Sequence, residues 1–171
     1  MAGKLFEGWQ LGGIVTIQQG LPFTVTSSAA ATGYAFIANR PNVNPGVDVN
    51  KLTQGAFGNR NQYFDTSAFS VPPAGTIGNA DRNLLLGPPL VTSNLSLNRL
   101  FPIGERAKLE FRTEFFNALN QTSLGFPAAA IFSSFAINPS TGKTQITAGT
   151  GRITTTTTTG RQIQFGMKII F

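Results

Sequence analysis

The stretch Arg161–Phe171, RQIQFGMKIIF, decides how the rest of the chain is read. Ile163, Phe165, Met167, Ile169 and Phe171 fall on one side of a period-two pattern. Gln162, Gln164, Gly166 and Lys168 fall on the other, with Ile170 out of place. Successive side chains of a strand point to opposite faces, so this spacing predicts a strand with one apolar and one polar face, closing on an aromatic ring. Nothing in it has the 3.6-residue period of a helix.

Three further stretches alternate in the same way. From about Gly8 to Gln19, GWQLGGIVTIQQ sets Trp9, Leu11, Val15 and Ile17 against Gln10, Thr16 and Gln18, with Ile14 as the exception and GLPFTVTS as a candidate extension. SNLSLNRLF sets Leu95, Leu97 and Phe101 against Asn94, Ser96 and Asn98, with Arg99 interrupting the apolar side. A tight turn is expected at Pro102–Glu105, where Pro and Gly take turn-forming roles. RAKLEFRTEFFNALN then alternates Ala107, Leu109, Phe111, Thr113 and Phe115 with Lys108, Glu110, Arg112 and Glu114. Such a charged face is costly against lipid or a dry core, and comfortable against water or cross-strand partners.

Composition narrows the class. Of 171 residues only 12% are charged, against about 25% in ordinary soluble domains, and 15 are Phe. The net charge of +6 comes from Lys and Arg scattered singly, with no basic run or reading motif, so no nucleic-acid partner is expected. With no Cys there is no disulfide framework or thiolate site. No apolar run reaches the ~18 residues of a membrane helix. MAGKLFEGWQ lacks the apolar core of a signal peptide, which places any export signal upstream.

The connections alternate long, short, long. About Ser27 to Leu90 is rich in Pro, Gly, Asn and Ala, and about Gln121 to Gly160 is a second long stretch, expected to carry its own hairpin. If the last strand runs toward side A, the tight turn lies on side A and both long connections on side B. Phe6, Trp9, Phe101 and Phe171 also collect on side A. Short turns at one end, long loops at the other and aromatic rings at an interface are the pattern of outer-membrane barrels.

In this setting GWQLGGIVTIQQGLPFTV, NRPNV, YFDTSAFSVPPAGTIGNADRNLLLGP, NLSLNRLFPIGERAKLEFRTEFFNALNQTSLGFP and GRITTTTTTGRQIQFGMKIIF, in this order, resemble the carboxyl-terminal end of TonB-dependent outer-membrane receptors with an N-terminal carboxypeptidase-regulatory-like domain. The resemblance implies an all-β fold: an antiparallel meander of about four long transmembrane strands with long extracellular loops, a partial, open segment of a large barrel of about twenty-two strands. It also implies location in the bacterial cell outer membrane and uptake of large substrates. The implied partners are outer-membrane lipid, the barrel-assembly machinery, the remainder of the receptor chain with its plug, and through it the TonB energy-transducing complex. Ile163, Phe165, Met167, Ile169 and Phe171 become the assembly signal, and Lys108, Glu110, Arg112 and Glu114 a lumen-facing charged strand. Residues 1–171 are then expected to be a fragment, not transport-competent alone, with the two long connections as candidate ligand-facing loops. The alternative is a secreted all-β binding or adhesion module that recognises a glycan or surface partner through those loops.

Other signals are set aside. STGKT (Ser140–Thr144) lacks the earlier Gly of a phosphate-binding loop, having Ile137 there, and TAGTGRIT is a lone Gly-x-Gly. GVDVN offers Asp48 and Asn50 but is followed by KL where a calcium loop needs oxygens. Asn94 and Asn120 open glycosylation tripeptides that are disregarded. No cofactor or metal is expected. Without His or Cys, and with Lys108 and Arg112 flanking the acids Glu110 and Glu114, no enzyme is expected. Thr154–Thr159 reads as a hydroxyl-rich strand or loop edge.

Overall fold

A computed structural model describes residues 7–27, 40–73, 76–132 and 145–171. Among them the strands are β1 Trp9–Gln18, β2 Pro22–Phe23, β3 Thr26–Ser27, β4 Asn42–Val43, β5 Phe69–Ser70, β6 Leu85–Leu86, β7 Leu90–Ile103, β8 Ala107–Phe116, β9 Ala130–Phe132 and β10 Gln162–Ile170. The chain divides into two compact units. The first comprises Met1–Gln18, Leu90–Ser123 and Thr156–Phe171, and the second Gln19–Pro89 and Leu124–Thr155.

The first unit is the four-stranded antiparallel meander, in the order β1-β7-β8-β10. Gln18 is paired with Leu90, and Phe116 with Gln162, so both long connections leave and re-enter at one end of the sheet. The tight turn is at the other end. It falls at Gly104–Arg106, two residues later than expected, because β7 continues through Pro102 and Ile103. The β1 ladder stops at the Trp9–Arg99 pair, so Pro102 lies past it and withdraws no N–H from that ladder. Gly104 takes φ 69°, which a residue without Cβ adopts freely.

Two other boundaries differ from expectation. The third long strand ends at Phe116, short of Asn120, because Asn117 and Asn120 take φ 49° and 52°, left-handed values that Asn tolerates and a strand cannot continue through. The buried Asn117 holds this end of the sheet. Its Nδ2 donates to the carbonyls of Gln121 and Thr159, and its Oδ1 accepts from the N–H of Gln121. The Thr run is not a strand. Thr157 Oγ1 donates to the Ser123 carbonyl and Thr158 Oγ1 to that of Gln121, which straps the segment to the chain after β8.

GLPFTVTS does not extend β1. It opens the second unit, where β2 pairs with β6 and β3 runs parallel to β9. The stretches expected to be loops therefore carry a core: Phe23, Val25, Phe64, Ile131, Phe132 and Ile153 are buried, with Phe64 ringed by Phe23 and Phe69 at 6.1 Å each. With so few ladders, side chains serve the backbone instead. Asn79 Oδ1 accepts from Val43 N–H at 2.7 Å while Asn42 Oδ1 accepts from Asn79 N–H at 2.9 Å. The Asp48 and Asp65 carboxylates cap the 3₁₀ turns Val49–Lys51 and Thr66–Ala68. That is why NRPNVNPGVDVN is so rich in Asn, Asp and Pro without being a strand. The expected hairpin in 121–160 falls in part, and STGKT wholly, outside the described residues, as does Phe6.

Candidate functional site

Antiparallel partners share a face, so the register sorts every side chain of the meander. One face collects Trp9, Leu11, Val15 and Ile17 from β1, Leu95, Leu97, Phe101 and Ile103 from β7, Leu109, Phe111 and Phe115 from β8, and Ile163, Phe165, Met167 and Ile169 from β10. The pairs Leu11–Leu97, Leu95–Phe115, Ile163–Phe115 and Met167–Phe111 lock strand to strand. Ile163, Phe165, Met167 and Ile169, the positions expected to signal assembly, share this face, with Phe171 one position past β10. They are not a core: Phe165 is 67% exposed and Phe171 96%. Among the described residues no second sheet covers them, and a sandwich would require one.

Near the short-turn end this face carries its one charged side chain among the strand residues, Arg99. The sequence shows it only as a break in alternation. The register sets Arg99 between Trp9 and Phe111. Its guanidinium carbon lies 4.5 Å from the Phe101 ring centre and 5.3 Å from that of Trp9. Trp9 in turn meets Phe101 and Phe111 edge-on at 6.3 and 6.2 Å. The signal that could have found this cluster was that Trp9, Arg99, Phe101 and Phe111 share one parity of the predicted strands.

The opposite face gathers Lys108, Glu110, Arg112 and Glu114. Arg112 donates to the neighbouring Glu114 carboxylate on the same strand. Glu110 has Lys168 as its register partner, and Arg112 is flanked by Asn98 and Gly166. Gly12, Asn94, Ser96, Arg112 and Glu114 line a shallow recess on this face. Ile14 and Ile170, exceptions to the alternation, also point this way, as do Leu100 and Phe116. Glu110 and Glu114 are four residues apart, about 13 Å of extended strand, with Arg112 between them.

Outside the sheet, Asp48 accepts from the backbone and side chain of Asn50 and faces Lys51 at 3.5 Å. The Asn50 backbone N–H is the largest cause holding its carboxyl below the usual value. Tyr63 donates to the Leu86 carbonyl at 3.1 Å, and burial raises its phenol pKa.

The family model described as an outer membrane beta barrel domain matches residues 1–164, and no curated protein and no solved structure matches. With a model covering nearly the whole sequence, and an all-β antiparallel meander whose faces divide as a barrel wall does, the chain belongs to the outer membrane β-barrel domain family.

Proposed function

We propose that the chain is the carboxyl-terminal barrel part of a TonB-dependent receptor, of the type with an N-terminal carboxypeptidase-regulatory-like domain, acting in uptake of large substrates across the bacterial outer membrane. The observation that carries this is the register. Four strands put their apolar positions on one face, both long connections at one end and the short turn at the other. The five ordered stretches of resemblance supply the receptor type. In this role the apolar face meets lipid, and Lys108, Glu110, Arg112 and Glu114 face a lumen that also holds the plug. Ile163, Phe165, Met167, Ile169 and Phe171 engage the assembly machinery. The remainder of the receptor couples to the TonB complex. In this reading the role is not catalytic, and Arg112, which donates to Glu114, belongs to the charged wall of the lumen.

The transcript that encodes the chain tests the receptor type. An in-frame continuation upstream of Met1 through a plug domain and an export signal is the expected result. An export signal joined directly to residue 1, with no plug or further strands, would refute it.

A further inference from the structure

We propose that Arg99 and the rings around it form a binding site for the phosphodiester of a membrane phospholipid, in the leaflet on the short-turn side. The inference rests on the reading that lipid covers the apolar face. A cation on such a face is expensive at mid-depth and favourable at headgroup depth, where a long side chain carries its charge to the interface. Arg99 is four residues before the end of β7 at Ile103, about 13 Å along the strand and about 10 Å in depth at a usual barrel tilt. That is within reach of the headgroups for a side chain of this length.

The ring contacts make this more than a stray charge. Phe101 at 4.5 Å and Trp9 at 5.3 Å engage the guanidinium through their π faces. A guanidinium stacks on its faces and donates in its plane, in a fork that fits two oxygens of a phosphodiester. Trp9 meets both Phe101 and Phe111 edge-on, so the charge is presented from a preorganised aromatic wall. The same rings and the adjoining Leu11 and Leu97 continue into the apolar face along which acyl chains would lie. Charge and apolar surface therefore lie side by side, with Leu11 and Leu97 on one side of Arg99 and Phe101 and Leu109 on the other, which fits a phospholipid and not a free anion.

Trp9 is the one tryptophan in the chain, so its emission reads this site alone. The full 171-residue chain, folded in maltoside micelles free of phosphate, is titrated with dihexanoyl phosphatidylglycerol, with dihexanoylglycerol lacking the phosphate, and with inorganic phosphate. A saturable Trp9 response to phosphatidylglycerol is expected, with little response to the other two. Arg99→Gln should weaken the midpoint by about tenfold or more, as loss of a charged hydrogen-bond donor does, with Arg99→Lys between. Equal midpoints for the phosphate-free lipid would overturn the site, as would displacement by inorganic phosphate or an unchanged Arg99→Gln midpoint. The comparison of the three ligands on the unaltered chain stands even if a variant misfolds. Lipids brominated on the acyl chain separate the two layers of the inference. Quenching of Trp9 with no preference for phosphate sinks the Arg99 site alone, whereas no quenching sinks the lipid-covered face on which it rests.

Discussion

Placing an arginine at position 165 and, separately, at position 164 distinguishes a lipid-covered face from a wetted one. Phe165 lies near the middle of β10, opposite Thr113, 67% exposed, with its ring 6.4 Å from that of Phe111. If water covered this face, Phe165→Arg would forfeit little beyond the ring pair, about 0.5–1.5 kcal/mol. Under lipid, the same charge at mid-depth costs about 2–4 kcal/mol in addition. The sum shifts the folded-to-unfolded ratio by well over tenfold. Gln164 is one residue away on the other face, with Glu114 as its register partner, so Gln164→Arg gains a carboxylate neighbour and should stay within about 0.5 kcal/mol. Urea titrations of the chain in lipid vesicles, followed by circular dichroism, compare the two. A Phe165→Arg penalty below about 1.5 kcal/mol, or equal penalties for the two variants, would refute the assignment of faces.

Other perturbations read other parts of the molecule. Phe64→Ala empties the centre of the second unit, where Phe64 is fully buried, and should cost about 3–5 kcal/mol by chemical denaturation. Asn117→Ala loses three hydrogen bonds and puts a Cβ without a local hydrogen bond at φ 49°, so about 2–4 kcal/mol is expected. Asn117→Gly should recover about 1 kcal/mol of that, the backbone share, and equal losses for the two would contradict the left-handed conformation. Tyr63, with its folded pKa raised by burial, contributes stability that is complete below the ordinary phenol value near 10. That contribution is lost as pH rises through the higher folded value. The alkaline fall in melting temperature should therefore be shallower in Tyr63→Phe.

The meander was legible because its rule is short-range. Where lipid or water decides each side, a period of two in Trp9–Gln18 or Gln162–Ile170 says which residues share a face, and four such stretches can only agree in one register. Arg99, Ile14 and Ile170 looked like faults in that rule. The pairing shows Arg99 seated among aromatic rings and the two isoleucines on the polar face. What the sequence concealed is set by contacts distant along the chain. The end of β8 depends on Asn117 reaching Gln121 and Thr159, and nothing in FFNALN announces the carbonyl 42 residues away. The second unit was hidden for the same reason. Phe23, Phe64 and Ile131 follow no common period, and their neighbours are held by Asn and Asp side chains where a ladder would have shown a pattern.

The natural chain has no cysteine, so single cysteines along β10 report each position without background. In the chain refolded into vesicles, positions 163, 165, 167 and 169 should react with a lipid-soluble maleimide and resist a charged one. Positions 162, 164, 166 and 168 should do the reverse. A clean alternation of period two is the predicted result. Equal reaction of both sets with the charged reagent would contradict it, and with it the membrane wall this meander is taken to form.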